Sequence, residues 1–176
     1  MEKITRPFNL FKWISDNRHL LKPPVGNKNL YVEAEDFVVM IVAGPHTRKD
    51  YHYNETEELF YQLEGDIVVK TQQGGQVVEV PIKEGEMFLL PPKIPHSPLR
   101  PADSIGLVIE RKREVYHKDG LMWFSEKENA LLYEEYFHLT NIEKDFLPIF
   151  KKFYSNKKLR TCPVSGEVME VDERYI

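Results

Sequence analysis

Between residues 30 and 110 the chain is cut into short runs of β-branched and aromatic residues, each closed by Gly, Pro, Asn or Asp. No other feature limits the fold as much, because such runs suit single strands and are too short for stable helices. They fall at 30–33, 37–42, 59–63, 67–71, 77–82, 87–90 and 105–110. Gln73-Gly74-Gly75-Gln76 sets two residues tolerant of positive φ between two of these runs, which is a hairpin signature. Many short strands at this spacing predict a mostly β sandwich or barrel. Ahead of them, residues 8–16 space their apolar side chains as a short helix does, and Pro23-Pro24 prevents its continuation. Behind them, apolar stretches at 121–124 and 131–137 precede a helix predicted over 142–154. A Thr140-x-x-Glu143 capping box opens that helix, and Pro148 should disturb its middle. The expected organisation is one domain over 1–176: a helical lead-in at 1–29, a barrel core at 30–115 and a mixed C-terminal extension at 116–176.

Charge narrows the partners. A net charge of −4 over 176 residues gives no electrostatic case for nucleic acid, so small molecules become the leading partner class. No stretch approaches the roughly 18 apolar residues of a membrane span, and Met1-Glu2-Lys3-Ile4-Thr5-Arg6 lacks the apolar core of a signal peptide. The expectation is a cytoplasmic chain without a membrane partner. The single cysteine, Cys162, excludes an internal disulfide and fits a reducing compartment.

Two spaced motifs carry the chemistry. Gly44-x7-His52-x-Asn54-x3-Glu58-x6-Gly65 is followed by Gly85-x5-Pro91-x4-His96. His52, Glu58 and His96 make a candidate two-histidine, one-carboxylate set, the ligand type that holds ferrous iron and leaves positions open. Glu57 competes with Glu58, but the x6-Gly65 spacing favours Glu58. His19, His46, His117 and His138 have no such joint spacing and read as surface or satisfied core residues. The two motifs resemble those of the cupins, double-sheeted jelly-roll barrels, with Asn54 where the first motif usually carries a second histidine.

Strand parity adds an independent argument. If the chain around His52 is extended, Arg48, Asp50 and His52 share one face, and His96, Pro98 and Arg100 share another. Phe60 and Gln62 follow Glu58 inward, and Glu110 groups with Val108 and Gly106. Four strand residues span roughly 13 Å, so an arginine reaching back toward a metal leaves space for about one aromatic ring. The ligand implied is small, flat and anionic at one end: an arginine fork suits a carboxylate, and Glu110 can accept from an amino or hydroxyl group.

With these residues in place the chain closely resembles the 3-hydroxyanthranilate 3,4-dioxygenases. The likeness rests on Leu20-Leu21-Lys22-Pro23-Pro24-Val25-Gly26-Asn27, Gly44-Pro45-His46-Thr47-Arg48-Lys49-Asp50-Tyr51-His52, Glu58-Leu59-Phe60-Tyr61-Gln62, Leu90-Pro91-Pro92 and His96-Ser97-Pro98-Leu99-Arg100-Pro101. It implies a cupin barrel with one Fe2+ on His52, Glu58 and His96. Arg48, Arg100 and Glu110 would contact the substrate, while Asn27, Asp50 and Phe60 would line the pocket or support it. It further implies that 3-hydroxyanthranilate and dioxygen are the substrates, that the product is 2-amino-3-carboxymuconate semialdehyde, which cyclises to quinolinate, a precursor of NAD, and that the chain is a homodimer. Relatives often carry two Cys-x-x-Cys pairs in the tail. Here the first place holds Ser125-Glu126-Lys127-Glu128 and the second reads Cys162-Pro163-Val164-Ser165, so one thiolate faces a task that needs four and no second metal is expected. Pro163 and Gly166 still suggest a knuckle-like turn. A metal-dependent isomerase, another ring-cleaving dioxygenase acting on a carboxylated aromatic, and a non-catalytic cupin are the other readings; the last predicts loss of a metal ligand, which is not seen.

Overall fold

The structure, a computed structural model, describes residues 4, 6–22, 26–46 and 48–176, without the side chains of Ile142 and Glu143. The stop expected at Pro23-Pro24, the opening residues Met1 to Lys3, and Thr47 and Val25 of the matching segments lie outside the described residues.

Among the described residues, eleven strands form two antiparallel sheets. The strands are β1 (Asn27–Asn29), β2 (Phe37–Ala43), β3 (Tyr51–Asn54), β4 (Glu58–Glu64), β5 (Ile67–Gln73), β6 (Gln76–Ile82), β7 (Met87–Leu90), β8 (His96–Leu99), β9 (Ile105–Arg111), β10 (Asp119–Phe124) and β11 (Leu131–Phe137). One sheet runs β1-β2-β9-β4-β7, the other β11-β10-β3-β8-β5-β6. Met40, Phe60, Leu90 and Val108 from the first sheet bury against Ile67, Val69 and Ile82 from the second, so the two sheets close on a shared core. This is the double-sheeted β architecture that the sequence predicts. Between β5 and β6 the chain reverses in two residues, Gly74 and Gly75, both with positive φ, as a tight hairpin requires.

Several expectations need correction. Residues 30–33 are not a strand: Asn29 Oδ1 accepts from the Tyr31 amide and Ala34 N donates to the Tyr31 carbonyl, which turns the chain just after β1. The strand is the polar triplet before them, held by pairing Asn27 opposite Val42. Sheet hydrogen bonding runs across both 29/30 and 115/116, because β1 pairs with β2 and β10 pairs with β3.

Among the described residues, two α-helices flank the sheets. The first, α1 (Leu10–Asn17), is capped by Asn9 and buries Ile14 against Leu21, Ile41 and Ile105. The second, α2 (Ile142–Ser155), begins with Asn141 as its cap, accepting from Lys144 N. The expected box from Thr140 is therefore displaced by one residue; Asp145 accepts from Thr140 N and Asn141 N instead, and Glu143 lies among the undescribed side chains. Helix α2 also runs unbroken through Pro148, which sits on the exposed face, where water can satisfy the carbonyl its missing N–H leaves free. Its inner face packs Phe146, Ile149, Phe150 and Phe153 against Leu121 and Trp123 of β10. Trp123 is fully buried, stacked on Phe153 at a centroid distance of 4.2 Å. Among the described residues no helix is long and apolar enough to cross a membrane.

Candidate metal centre

His52 on β3 and His96 on β8 face each other as the one Cα pair joining those strands. Glu58 opens β4, in the opposite sheet. Asn54 makes that crossing possible: its Oδ1 accepts from both the amide and hydroxyl of Thr56, fixing the bend from β3 to β4. The side chain standing where a further histidine is usual is thus a buried turn former. Ligand atoms of His52, Glu58 and His96 lie within 4.8 Å of one another, and all three residues are buried.

The outer nitrogens of both imidazoles are occupied. His96 Nδ1 lies 3.1 Å from the Ile94 carbonyl and His52 Nε2 lies 2.7 Å from Asp119 Oδ1. Those acceptors place the protons on the outer atoms and turn the other ring nitrogens toward Glu58. His96 Nε2 approaches Glu58 Oε2 to 3.1 Å, yet this buried oxygen has no properly formed hydrogen bond. Burial would raise the Glu58 carboxyl and lower the His96 imidazole, but their mutual attraction prevails, holding Glu58 below and His96 above its ordinary pKa. A positive charge is what this point of the fold lacks. Two imidazoles and a carboxylate converging on one orphaned oxygen fit a divalent first-row metal with positions left open.

Around these atoms lies a cavity of about 100 Å³, lined by His52, Glu58, His96, Arg48, Arg100, Glu110, Asn27, Phe60, Pro98, Val108, Met40, Val42, His46 and Phe146. Its size is comparable with the roughly 150 Å³ engineered cavity that takes up one benzene. Both arginines, Glu110 and Phe60 thus line the cavity that strand parity turns them toward. Asp50 is buried beside Arg48, with Oδ1 3.3 Å from Arg48 Nε, and so touches a lining residue without lining the cavity itself. The Arg48 guanidinium lies over Phe146 and Phe150, at 5.4 and 5.2 Å from their centroids. Arg100 is buried, donates to Gln62 Oε1 at 3.3 Å, and fits because Gly106 has no side chain: a Cβ there would meet Arg100 Nη1 at 2.8 Å. Burial pulls the Arg100 guanidinium down to about 10, against the pull of Glu58, so it stays cationic at neutral pH.

A model of the 3-hydroxyanthranilic acid dioxygenase family matches residues 2–154. The chain belongs to that family. A Xanthomonas campestris protein named 3-hydroxyanthranilate 3,4-dioxygenase is 53% identical over 169 residues, covering 96% of this chain and 95% of that protein. One of the same name from Ruegeria pomeroyi is 47% identical over 162 residues, covering 92% and 89%. Among solved structures, a cupin-2 domain protein from Shewanella frigidimarina shows a partial likeness, with a TM-score of 0.46 and 18% identity over 56% of this chain and 91% of that one.

Four side chains bear on this family member's centre without having been singled out as its parts. Asp119 is completely buried behind His52, and Arg113 forks onto Asp119 while also donating to Glu110. Nothing in their sequence spacing marks them, because a loop brings them together. Phe146 of α2, expected only to pack, lines the cavity with its ring 5.4 Å from that of His52. His46, read as ordinary, lines the cavity too; its Nδ1 meets the Pro98 carbonyl, and burial together with Arg48 pushes it down to about 4, which keeps it neutral. A wider groove of about 830 Å³ shares His46, Arg48 and Arg100 with the cavity but none of the three converging ligands, so the chemistry belongs to the smaller space.

Proposed function

We propose that this chain opens the aromatic ring of 3-hydroxyanthranilate with dioxygen, giving 2-amino-3-carboxymuconate semialdehyde, on one ferrous ion held by His52, Glu58 and His96. The observation that carries this reading is the convergence of three buried ligand side chains and two arginines in one cavity sized for a single ring. When bound, ferrous iron supplies a redox-active Lewis acid with coordination positions that three protein ligands leave open.

The chain's own residues supply the rest. Arg48 and Arg100 bind the substrate carboxylate, and because Arg100 is buried its hydrogen bonds to a carboxylate form away from competing water. Glu110 Oε2 is already held by Arg113, so Oε1 is the atom left to accept from the substrate's amino or hydroxyl group. Phe60, Val108, Met40 and Val42 form apolar walls that keep the ring in the plane between arginines and metal ligands. Asn27 and Asp50 support this arrangement, Asp50 by its contact with Arg48. The same reading makes the chain one domain, a homodimer in the cytoplasm, with neither nucleic acid nor membrane as partner. The net charge of −4 supports the exclusion of nucleic acid, and the single thiol of Cys162 fits a reducing compartment.

Protein reconstituted anaerobically with ferrous iron should consume 3-hydroxyanthranilate and dioxygen in equal amounts. A folded, iron-loaded sample with no oxygen uptake would overturn the proposal.

A further inference from the structure

We propose that Arg113 is a positioning residue that ties the metal ligand His52 and the substrate acceptor Glu110 to one guanidinium, so that a side chain touching neither metal nor substrate sets the affinity for both. The inference rests on the reading of the centre given above and deepens it.

Arg113 lies in the loop that leaves β9 in one sheet and returns as β10 in the other. Its side chain is only 5% exposed. Nε donates to Asp119 Oδ2 at 2.9 Å and Nη2 to Asp119 Oδ1 at 2.7 Å, a two-pronged fork that fixes the plane of that carboxylate. The same Oδ1 takes the His52 Nε2 proton at 2.7 Å. Nη1 donates to Glu110 Oε2 at 2.6 Å and to the Arg111 carbonyl at 2.9 Å. Four N–H groups of one rigid plane are therefore committed in set directions. On one side they settle which nitrogen of His52 is free for metal; on the other they settle which oxygen of Glu110 is free for substrate. Lysine could keep the charge but not the fork.

A loop brace with no link to the site would make the same bonds, so the test must read the site itself. Ferrous affinity is measured anaerobically without substrate. The affinities of the iron-loaded protein for 3-hydroxyanthranilate and for 2-aminophenol are then measured without oxygen. Arg113→Met should weaken iron binding about 10- to 100-fold, the usual effect of losing an outer partner of a ligating histidine. It should weaken both organic ligands by a similar factor, since they share the groups that Glu110 meets. Arg113→Lys should restore neither affinity fully. If Arg113→Met does not fold, as judged by near-UV circular dichroism, Arg113→Lys decides alone. Folded variants with wild-type affinities, or complete rescue by lysine, would overturn the inference. If the wild-type protein itself binds no iron through His52, Glu58 and His96, it is the reading of the centre that fails instead.

Discussion

His52, Glu58 and His96 in the cavity, and Ser125, Glu128, Cys162 and Ser165 in the tail, are two gatherings of donor atoms that behave in opposite ways. In the cavity the donors converge, and Glu58 Oε2 is buried without a hydrogen bond, with only His96 Nε2 3.1 Å away. In the tail each donor has a protein partner. The Cys162 thiol points to Glu128 Oε2 at 3.5 Å and is drawn below its ordinary pKa by the Ser165 side chain and amide, and to a smaller extent by Ser125. Cys162 N donates to Glu167 O at 2.7 Å and Gly166 N to Cys162 O at 2.9 Å, so the knuckle keeps its turn through its own backbone bonds. Proximity of donor types does not by itself make a metal site. What matters is whether the buried lone pairs have been used up.

The comparison is broken most severely by removing a cavity ligand. Replacing His52, Glu58 or His96 by alanine should abolish turnover and cut metal affinity by more than the roughly 10- to 100-fold expected of an outer partner, as measured by anaerobic titration. Retained tight binding in any of the three would remove the distinction between the regions. Next in size is the packing that holds the tail. Trp123→Ala should cost about 3 to 5 kcal/mol in unfolding free energy. Because Phe146 of the same cluster lines the cavity, substrate affinity should fall with it; a loss below about 1 kcal/mol would show that the aromatic cluster does not carry the tail.

Arg100→Ala sharpens the account within the cavity. It should weaken 3-hydroxyanthranilate by roughly 1.5 to 3 kcal/mol, about 10- to 150-fold, while sparing 2-aminophenol, which has no carboxylate. Equal losses for both ligands would give Arg100 a structural role. The smallest effect belongs to the start of α2. Backbone hydrogen bonds from Asn141 and Thr140 hold the Asp145 carboxyl below its ordinary value, so its contribution is present above that value and lost as pH falls through the lowered one. Asp145→Asn should therefore lower the melting temperature slightly at neutral pH, by the equivalent of about 0.3 to 1 kcal/mol at low salt, and not at all in strong acid. A constant difference across that range would assign the effect to something other than charge.

The fold and the site were legible to different depths. Strands such as β2, β5 and β9 show in the sequence because β-branched residues repeat in them. Strands β3 and β8, which carry His52 and His96, do not, since Tyr51-His52-Tyr53-Asn54 and His96-Ser97-Pro98-Leu99 spend their positions on candidate ligands and turns. Their candidate ligands show in motif spacing, while their strand character does not. The reverse holds for Leu30 to Glu33, whose apolar residues look like a strand but serve a turn set by Asn29. Asp119 and Arg113 were illegible because their meaning depends on a loop closing between the two sheets, which no local pattern encodes. Pro148 misled for a related reason: its cost depends on whether the freed carbonyl meets water, which only the packing of α2 decides.

Metal content measured after anaerobic reconstitution with ferrous iron and removal of loosely held ions puts the difference between the two regions to its most direct test. The account predicts one iron per chain in the wild-type protein, the same in Cys162→Ser, and none in Glu58→Ala. Two tightly held ions with one lost in Cys162→Ser, or full iron content in Glu58→Ala, would contradict it.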